Sequence, residues 1–282
     1  MRYQKKIDDF ILAALNEDIG EGDHSSLACI PLNTKGKACI YAKQNAIVAG
    51  AEVARKILNI YDKDLKLTFL KNDGDFVKNG GQVIVIEGHI HSILSTERLV
   101  LNFLQRMSGI ATFTNHLVSK LKGLPVKVLD TRKTTPCLRY FEKWAVQIGG
   151  GYNHRFGLFD MIMIKDNHID YCGGIRQAIE MTNQYLKRLG KELKIVIEAR
   201  SLDEVDQIMS TAMVDRILLD NFNVDMLHQA VKKIDKTFET EASGGINEDN
   251  IRKIAETGVD YISIGALTHQ LKSVDMSLLA EI

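Results

Sequence analysis

Short, mostly apolar runs recur through the second half of the chain, and each run ends at a polar residue or a glycine. Six such runs are Val126–Leu129 before Asp130, Met161–Ile164 before Lys165, Ile195–Ile197 before Glu198, Ile217–Leu219 before Asp220, Thr240–Ala242 before Ser243 and Tyr261–Ile264 before Gly265. Helical stretches separate them. Parallel strands have this continuous apolar pattern because helices cover both faces of their sheet. The pattern therefore predicts an α/β fold of βα repeats, closed as a barrel or spread as a doubly wound sheet.

The number of repeats favours an incomplete barrel. An eight-unit α/β barrel usually takes about 250 residues, and this part of the chain has room for only six units. A barrel of six strands leaves a gap between two of its strands. We expect the N-terminal part of the chain or another subunit to cover that gap, which predicts a dimer.

The first part of the chain has a different pattern, typical of an α+β module. Apolar positions at helical spacing alternate there with short strand-like segments and turn glycines. We predict, in order, a helix over 7–15, a strand over 37–42, a helix over 52–58, a strand over 65–70, a hairpin over 72–88 and a long helix over 95–114. The hairpin is similar to that of lipoyl and biotinyl carrier proteins. A carrier needs a lysine at the hairpin tip, whereas this chain has Gly88–His91 there, so a structural hairpin is favoured.

Charge and cysteine content narrow the classes of function. The 282 residues include 36 basic and 36 acidic side chains, so no overall field attracts nucleic acid or an anionic membrane. No apolar run approaches the roughly 18 residues of a membrane span. The four cysteines are irregularly spaced without a Cys-x-x-Cys pair, which argues against a zinc site or a disulfide framework. We expect a cytoplasmic protein that binds neither nucleic acid nor membrane.

Charged side chains follow the early strands of the predicted barrel. Because the carboxyl ends of barrel strands meet at one cavity, Arg132 and Lys133 should face Lys165 across it, and His154 with Arg155 could add two more cations. Arginine offers a bidentate fork to a carboxylate, and lysine offers a point charge. Lys165 could instead be a Schiff-base nucleophile, but the number of neighbouring cations favours recognition of an anion.

Carboxylates and glycines follow the later strands. Glu198 and Asp220 could hold Mg²⁺ or sugar hydroxyls, or form salt bridges with Lys133 or Lys165. Ser243–Gly245 looks like a glycine turn before a helix start, where backbone N–H groups bind phosphate, and Gly265 ends the last strand. Each glycine turn alone is more often a tight connection. Together, in the last two units, they favour a phosphate site.

These residues resemble the quinolinate phosphoribosyltransferase family, and the similarity covers nearly the whole chain. The motifs that carry it include Asp130–Pro136, Asn153–Arg155, Met163–His168, Ile197–Ala199 and Glu241–Ile246, with Glu17–Asp23, Glu97–Asn102 and Ser108–Thr112 in the first part. The resemblance implies an N-terminal α/β sandwich domain over 1–110, with the tail 268–282 packed on it. It implies an incomplete six-stranded, TIM-like barrel over 111–267, and a homodimer in which the partner closes each active site.

The resemblance also implies an activity and the roles of individual residues. A pentosyltransferase of this family uses Mg²⁺ to transfer the phosphoribosyl group of phosphoribosyl pyrophosphate to quinolinate, with loss of CO₂, in de novo NAD biosynthesis. It implies that Arg132, His154, Arg155 and Lys165, with Arg98 of the neighbouring subunit, bind quinolinate, and that Lys133, Glu198 and Asp220 face the ribose and pyrophosphate with Mg²⁺. We expect Thr131 as a further substrate-binding residue, and the resemblance implies that Ser243, Gly244, Gly245 and Gly265 hold the 5′-phosphate. The alternative is a related phosphoribosyltransferase that acts on nicotinate or another anionic ring.

Overall fold

The chain divides into two compact units. The computed structural model describes residues 2–281, and side chains from residue 7 onward. The first unit comprises Met1–Phe113 together with Leu271–Ile282, and the second comprises Thr114–Gln270. The C-terminal tail of the chain therefore belongs to the first unit.

The first unit is built on an antiparallel sheet. Its elements are α1 (Arg2–Ile19), α2 (His24–Cys29), β1 (Lys35–Ala42), β2 (Ala46–Ile47), α3 (Ala51–Tyr61), β3 (Lys66–Phe69), β4 (Phe76–Val77), β5 (Gln82–His89) and, from the tail, β12 (Met276–Glu281). The strand order is β12-β1-β5-β3, and β2 pairs separately with β4. The tail contributes a full edge strand, because β12 runs antiparallel to β1 from Lys37 to Ala42.

The core of the first unit follows the apolar pattern of its elements. The buried side chains of α3 include Val53, Ala54, Ile57 and Leu58, which recur at the spacing of one helical face. Helix α1 extends on both sides of its predicted range, and its C-terminal extension carries the exposed polar residues Asn16, Glu17 and Asp18. Helix α4 (Ile90–Lys120) likewise continues past both predicted ends and leads into the second unit.

The second unit alternates strands and helices. Its elements are β6 (Lys127–Leu129), α5 (Arg139–Ile148), β7 (Ile162–Ile164), α6 (Asp166–Cys172), α7 (Ile175–Leu189), β8 (Ile195–Ala199), α8 (Leu202–Thr211), β9 (Arg216–Asp220), α9 (Val224–Ile234), β10 (Glu239–Ser243), α10 (Ile251–Ala255), β11 (Tyr261–Ser263) and α11 (Ala266–His269). The six strands form one sheet in the order β6-β11-β10-β9-β8-β7. Each strand pair in it is parallel.

The order of these strands confirms the predicted incomplete barrel. The first strand, β6, pairs with the last, β11, and the others follow in descending order to β7, which is the strand order of a barrel that is open at one place. A doubly wound sheet would place consecutive strands outward from a central switch point instead. The break lies between β6 and β7, which are neighbours in sequence but stand at opposite edges of the sheet.

A short extended segment lines the β6 edge of this break. Tyr152 donates its N–H to the carbonyl of Val128 at 2.8 Å, and Asp130 donates its N–H to the carbonyl of Tyr152 at 3.1 Å. These bonds add one bridge to the sheet beside β6. This bridge brings His154 and Arg155, the next residues but one along the chain, to the carboxyl end of the sheet.

Among the described residues, no helix is both long and apolar enough to cross a membrane.

Candidate active site

A pocket of about 800 Å³ opens at the carboxyl ends of the six parallel strands. Twelve of the thirteen side chains or glycines predicted as site residues line it: Thr131, Arg132, Lys133, His154, Arg155, Lys165, Glu198, Asp220, Ser243, Gly244, Gly245 and Gly265. The exception is Arg98. It is an exposed residue of α4 in the first unit and does not line this pocket.

Two arginines of the pocket have no carboxylate partner among the residues that the structure describes. The Nε of Arg132 is buried without a hydrogen-bond partner. Arg155 is only 8% exposed, and its Nη1 donates only a long bond of 3.4 Å to the carbonyl of Met161. Burial lowers the pKa of Arg155, and the nearby charge of Arg132 lowers it further. Buried cations are normally paired, so this pair of guanidinium groups is suited to an anionic ligand.

A buried ion pair that sequence reasoning missed holds the segment that carries Arg155. Asp130 and Lys143 are almost inaccessible and form a direct bond. The same carboxylate accepts the N–H of His154 at 2.8 Å, and Lys143 donates to the carbonyl of His154 at 3.1 Å. Burial raises the pKa of Asp130 to about 6 although the charge of Lys143 opposes the shift. Hydrogen bonds to Asp130 and Lys143 therefore fix the main chain of His154 at both its N–H and its carbonyl.

The middle strands bring a lysine and two carboxylates together. Lys165 donates to Glu198 at 2.6 Å, and Glu198 also accepts the N–H of Asp166 at 3.3 Å. Burial, and then the charge of Glu198, raise the pKa of Asp220. Since Lys165 is committed to a carboxylate, it fits charge recognition better than a Schiff-base role. Of the salt bridges foreseen for Glu198, the one with Lys165 is formed.

The glycine turn after β10 differs in one respect from its prediction. Gly244 and Gly245 have φ angles of +94° and +61°, and a Cβ at Gly244 would collide with the side-chain oxygen of Asn221. No helix starts directly after the turn, however, because α10 begins only at Ile251. Asn250 donates to the carbonyl of Gly245 at 3.0 Å instead. The main chain therefore turns tightly and leaves open space beside Gly245, which suits a close approach of a phosphate to the backbone.

Eleven further residues line the pocket that were not predicted as site residues. Glu241, Asn221 and His269 belong to this group. Glu241 is inaccessible and lies 2.8 Å from Arg216 and 3.2 Å from His154. A signal for Glu241 was present in the sequence, since a glutamate within a buried strand needs a partner, but the partner could not be identified from the strand alone.

Comparison with known proteins assigns the chain to a family. The sequence model described as "Quinolinate phosphoribosyl transferase, C-terminal domain" matches residues 110–279, and the corresponding N-terminal domain matches residues 23–108. The chloroplastic carboxylating nicotinate-nucleotide pyrophosphorylase of Arabidopsis thaliana is 44% identical over 95% of this chain and 81% of its own. A probable enzyme of the same name from Bacillus subtilis is 40% identical over 99% of this chain and 93% of its own.

Solved structures agree with the sequence relatives. The crystal structure of NadC from Streptococcus pyogenes has a TM-score of 0.92 and 38% identity, with 98% of both chains covered. Human nicotinic acid phosphoribosyltransferase, at a TM-score of 0.66 and 11% identity, covers 91% of this chain and 72% of its own, and shares the fold alone. With both family domains matched in order along one chain, and with full-length relatives at this level of identity, the chain belongs to the quinolinate phosphoribosyl transferase family.

Proposed function

We propose that this chain transfers the phosphoribosyl group of phosphoribosyl pyrophosphate to quinolinate. The products are nicotinate mononucleotide, pyrophosphate and CO₂, which places the reaction in de novo NAD biosynthesis. The observation that carries the proposal is that two arginines without a carboxylate partner, Arg132 with its buried, unpartnered Nε and the buried Arg155, lie in the same pocket as the glycine turn at Gly244. A ligand that bears carboxylates at one end and a phosphate at the other matches both features.

Each part of the pocket fits one part of the two substrates. Charge-assisted bonds from arginine to carboxylate are among the stronger hydrogen bonds in proteins, so we assign the cationic side chains to quinolinate. We assign the glycine turns, with their exposed backbone N–H groups, to phosphate. We assign quinolinate to Arg132, His154, Arg155 and Lys165 with Arg98 of the neighbouring subunit, the ribose and pyrophosphate to Thr131, Lys133, Glu198 and Asp220, and the 5′-phosphate to Ser243, Gly244, Gly245 and Gly265.

The chemistry needs no protein nucleophile. The bond between the anomeric carbon and pyrophosphate breaks, and Lys133 stabilises the departing negative charge. Glu198 and Asp220 stabilise the positive charge that develops on the ribose, and the ring nitrogen of quinolinate donates its electron pair to the anomeric carbon. The resulting pyridinium accepts the electron pair released when the adjacent carboxylate leaves as CO₂. A proton from water then replaces that carboxylate on the ring carbon.

The carboxylates fit a magnesium ion that is shared with the substrate. Glu198 and Asp220 both line the pocket, and the raised pKa of Asp220 comes from burial and from its like-charged neighbour, so a cation between them would relieve the repulsion. No cluster of three or more metal-binding side chains occurs among the side chains that the structure describes, those of residues 7–281. Mg²⁺ commonly takes one or two carboxylates and completes its shell with phosphates and water. Bound in this way, it would neutralise charge on the pyrophosphate.

A turnover assay separates the proposed substrate from its nearest rival. Nicotinate carries one carboxylate fewer than quinolinate, so it would leave part of the cation set unpaired. The purified protein is incubated with phosphoribosyl pyrophosphate, Mg²⁺ and either acid, and CO₂ and nicotinate mononucleotide are followed. Quinolinate should give both products in equal amounts. Nicotinate mononucleotide formed from nicotinate without CO₂, and none from quinolinate, would contradict the proposal.

We also propose a homodimer in a reducing compartment, the cytoplasm. Arg98 is exposed and lies outside the pocket, so its assigned role requires a second chain. The four cysteines are free, which suits a compartment where thiols stay reduced. Because the formal charge is zero, the chain has no overall attraction to nucleic acid, and we propose no nucleic-acid partner.

A further inference from the structure

Arg139 links the two segments that carry the pocket arginines. It begins α5, and it donates from Nη2 to the carbonyl of Arg132 at 3.2 Å and from Nη1 to the carbonyl of Phe156 at 3.0 Å. Its Nε donates to the hydroxyl of Thr134 at 3.0 Å. The guanidinium is a rigid, planar fork. One such group therefore bonds to the main chain of Arg132 and to the main chain directly after Arg155.

Each of the two segments is also closed by its own hydrogen bonds. The carbonyl of Arg132 accepts the N–H of Thr134 at 2.9 Å, in addition to its bond from Arg139. The N–H of Phe156 donates to Asp160 at 2.6 Å, so both main-chain groups of Phe156 are bonded. Both acceptors of Arg139 thus belong to locally ordered turns, and the fork fixes the distance between those turns.

The two pocket arginines need such a constraint because they repel each other. Burial lowers the pKa of Arg155, and the nearby charge of Arg132 lowers it further. Quinolinate carries its two carboxylates on neighbouring ring carbons, so their separation is fixed. Two cations that are held at a matching separation can bind both carboxylates at once, whereas cations that move apart can bind only one.

We propose that Arg139 is a positioning residue that determines specificity: its fork holds Arg132 and Arg155 at the separation that a vicinal dicarboxylate requires. Arg139 does not line the pocket, so it acts through the two arginines and does not touch the substrate. This inference rests on the proposed function, in which both arginines bind quinolinate. Nicotinate has one carboxylate and needs only one of the two guanidinium groups, so its binding should depend little on Arg139.

Two substitutions of Arg139 test this role. Arg139→Lys keeps the positive charge, but a single ammonium nitrogen cannot occupy the positions of Nη1 and Nη2 together. Arg139→Met removes the charge as well as the bonds. Asp130 and Lys143 continue to hold the N–H and the carbonyl of His154, and neither bond involves Arg139. The segment should therefore stay attached to β6, and both variants should fold.

Thr134→Val is the matched control. It removes the third bond of Arg139 and leaves the two bonds that link the segments, and Thr134 does not line the pocket. Titration calorimetry measures the binding of quinolinate and of nicotinate to each purified variant. The melting temperature of each variant measures its folding.

The expected result is a selective loss of affinity for the dicarboxylate. Both Arg139 variants should bind quinolinate about tenfold or more weakly than wild type, as for one weakened charge-assisted bond, and nicotinate nearly as wild type does. Thr134→Val should bind both acids as wild type does. Equal losses for the two acids in Arg139→Lys, or unchanged discrimination in that variant, would overturn the proposal. Wild-type protein that binds quinolinate no more tightly than nicotinate would instead contradict the proposed function.

Steady-state kinetics gives a second readout. Arg139→Lys should raise the KM for quinolinate about tenfold and the KM for phosphoribosyl pyrophosphate much less. The reason is that the N–H of Lys133 keeps its bond to Thr131 at 3.0 Å, and Arg139 has no bond to the glycine turn after β10. An equal rise of the two KM values, or a lower melting temperature with neither KM changed, would show a structural role alone and overturn the proposal.

Discussion

The Nε of Arg132 is buried and has no hydrogen-bond partner among the described residues. The loop around it is already rigid, because Arg139 donates to the carbonyl of Arg132 at 3.2 Å and to Thr134 at 3.0 Å. The side chain is thus held ready for an anion, and its loss should affect binding more than folding. We predict that Arg132→Ala raises the KM for quinolinate by about ten- to a hundredfold, the equivalent of about 1.5–3 kcal/mol for a charge-assisted bond, and changes the KM for phosphoribosyl pyrophosphate much less.

Steady-state kinetics with each substrate varied in turn measures this difference. Arg188→Ala is a suitable control because Arg188 lies in the last turn of α7 and does not line the pocket. It should leave both KM values unchanged. If Arg132→Ala raised the two KM values equally, the assignment of Arg132 to quinolinate would be wrong.

Asp220 gives a prediction about pH. Burial and the charge of Glu198 raise its pKa above 3.8, so the folded chain keeps this proton over a range in which the unfolded chain has lost it. This group therefore lowers stability as pH rises from the unfolded pKa to the folded one. We predict that Glu198→Gln removes the like charge and shifts the titration of Asp220 to lower pH, as followed by ¹³C NMR of labelled aspartate carboxyls. Glu204→Gln, on α8 beside Arg200, should cause no shift.

At the scale of single residues, charged side chains at strand ends could be predicted from the sequence, but buried ion pairs could not. Lys165 and Asp220 could be found because each directly follows or ends a recognisable strand, and Lys133 because it lies in the loop after the first strand. Lys143 lies in a helix with a charged, amphipathic pattern that predicts exposure, yet it is buried because Asp130 compensates its charge from thirteen positions earlier in the chain. Such a pairing depends on how the helix returns to the sheet, which the local pattern does not contain.

Of all the elements in the pocket, the turn after β10 is the one whose backbone conformation we expect to affect phosphate binding most. Gly244 and Gly123 have similar φ angles of +94° and +89°, but a Cβ at Gly123 meets nothing within 4 Å. Both alanine substitutions therefore carry a backbone strain of about 1 kcal/mol, and only Gly244→Ala also displaces Asn221. We predict that Gly244→Ala raises the KM for phosphoribosyl pyrophosphate at least about tenfold, the equivalent of about 1.4 kcal/mol. Gly123→Ala should lower only the melting temperature, and equal KM values in the two variants would contradict a phosphate role for the turn.

Sequence patterns located the elements better than their ends and their connections. All six strands of the barrel were predicted because buried parallel strands are continuous apolar runs. The segment at Tyr152 was not, since the glycine-rich stretch before it has no apolar pattern and its place beside β6 depends on bonds to Val128 and Asp130. The helix expected after Gly245 starts later because asparagine side chains, Asn247 and Asn250, satisfy the backbone of the intervening loop.

At the scale of the molecule, the sheet order explains why the site collects residues from the whole second unit. Strand β11 pairs with β6, so the cations that follow the first strand meet the glycine at the end of the last. Gly265 illustrates this closeness, since a Cβ there would lie 3.0 Å from Cδ of Lys133. The fold class could be predicted from sequence because the count of repeats already excluded a complete eight-stranded barrel.

The remaining site residue, Arg98, can be tested only in an assembly of two chains. If it serves the pocket of a partner, Arg98→Ala and Arg132→Ala homodimers each carry one lesion in every site. In a mixed dimer both lesions fall in one site, and the other site is intact. We predict that coexpression of the two variants restores roughly a quarter of wild-type activity, because half of randomly formed dimers are mixed and each has one complete site. Differently tagged chains, purified on both tags in sequence, verify that mixed dimers form. Mixed dimers with no more activity than either parent would show that Arg98 does not act across the interface.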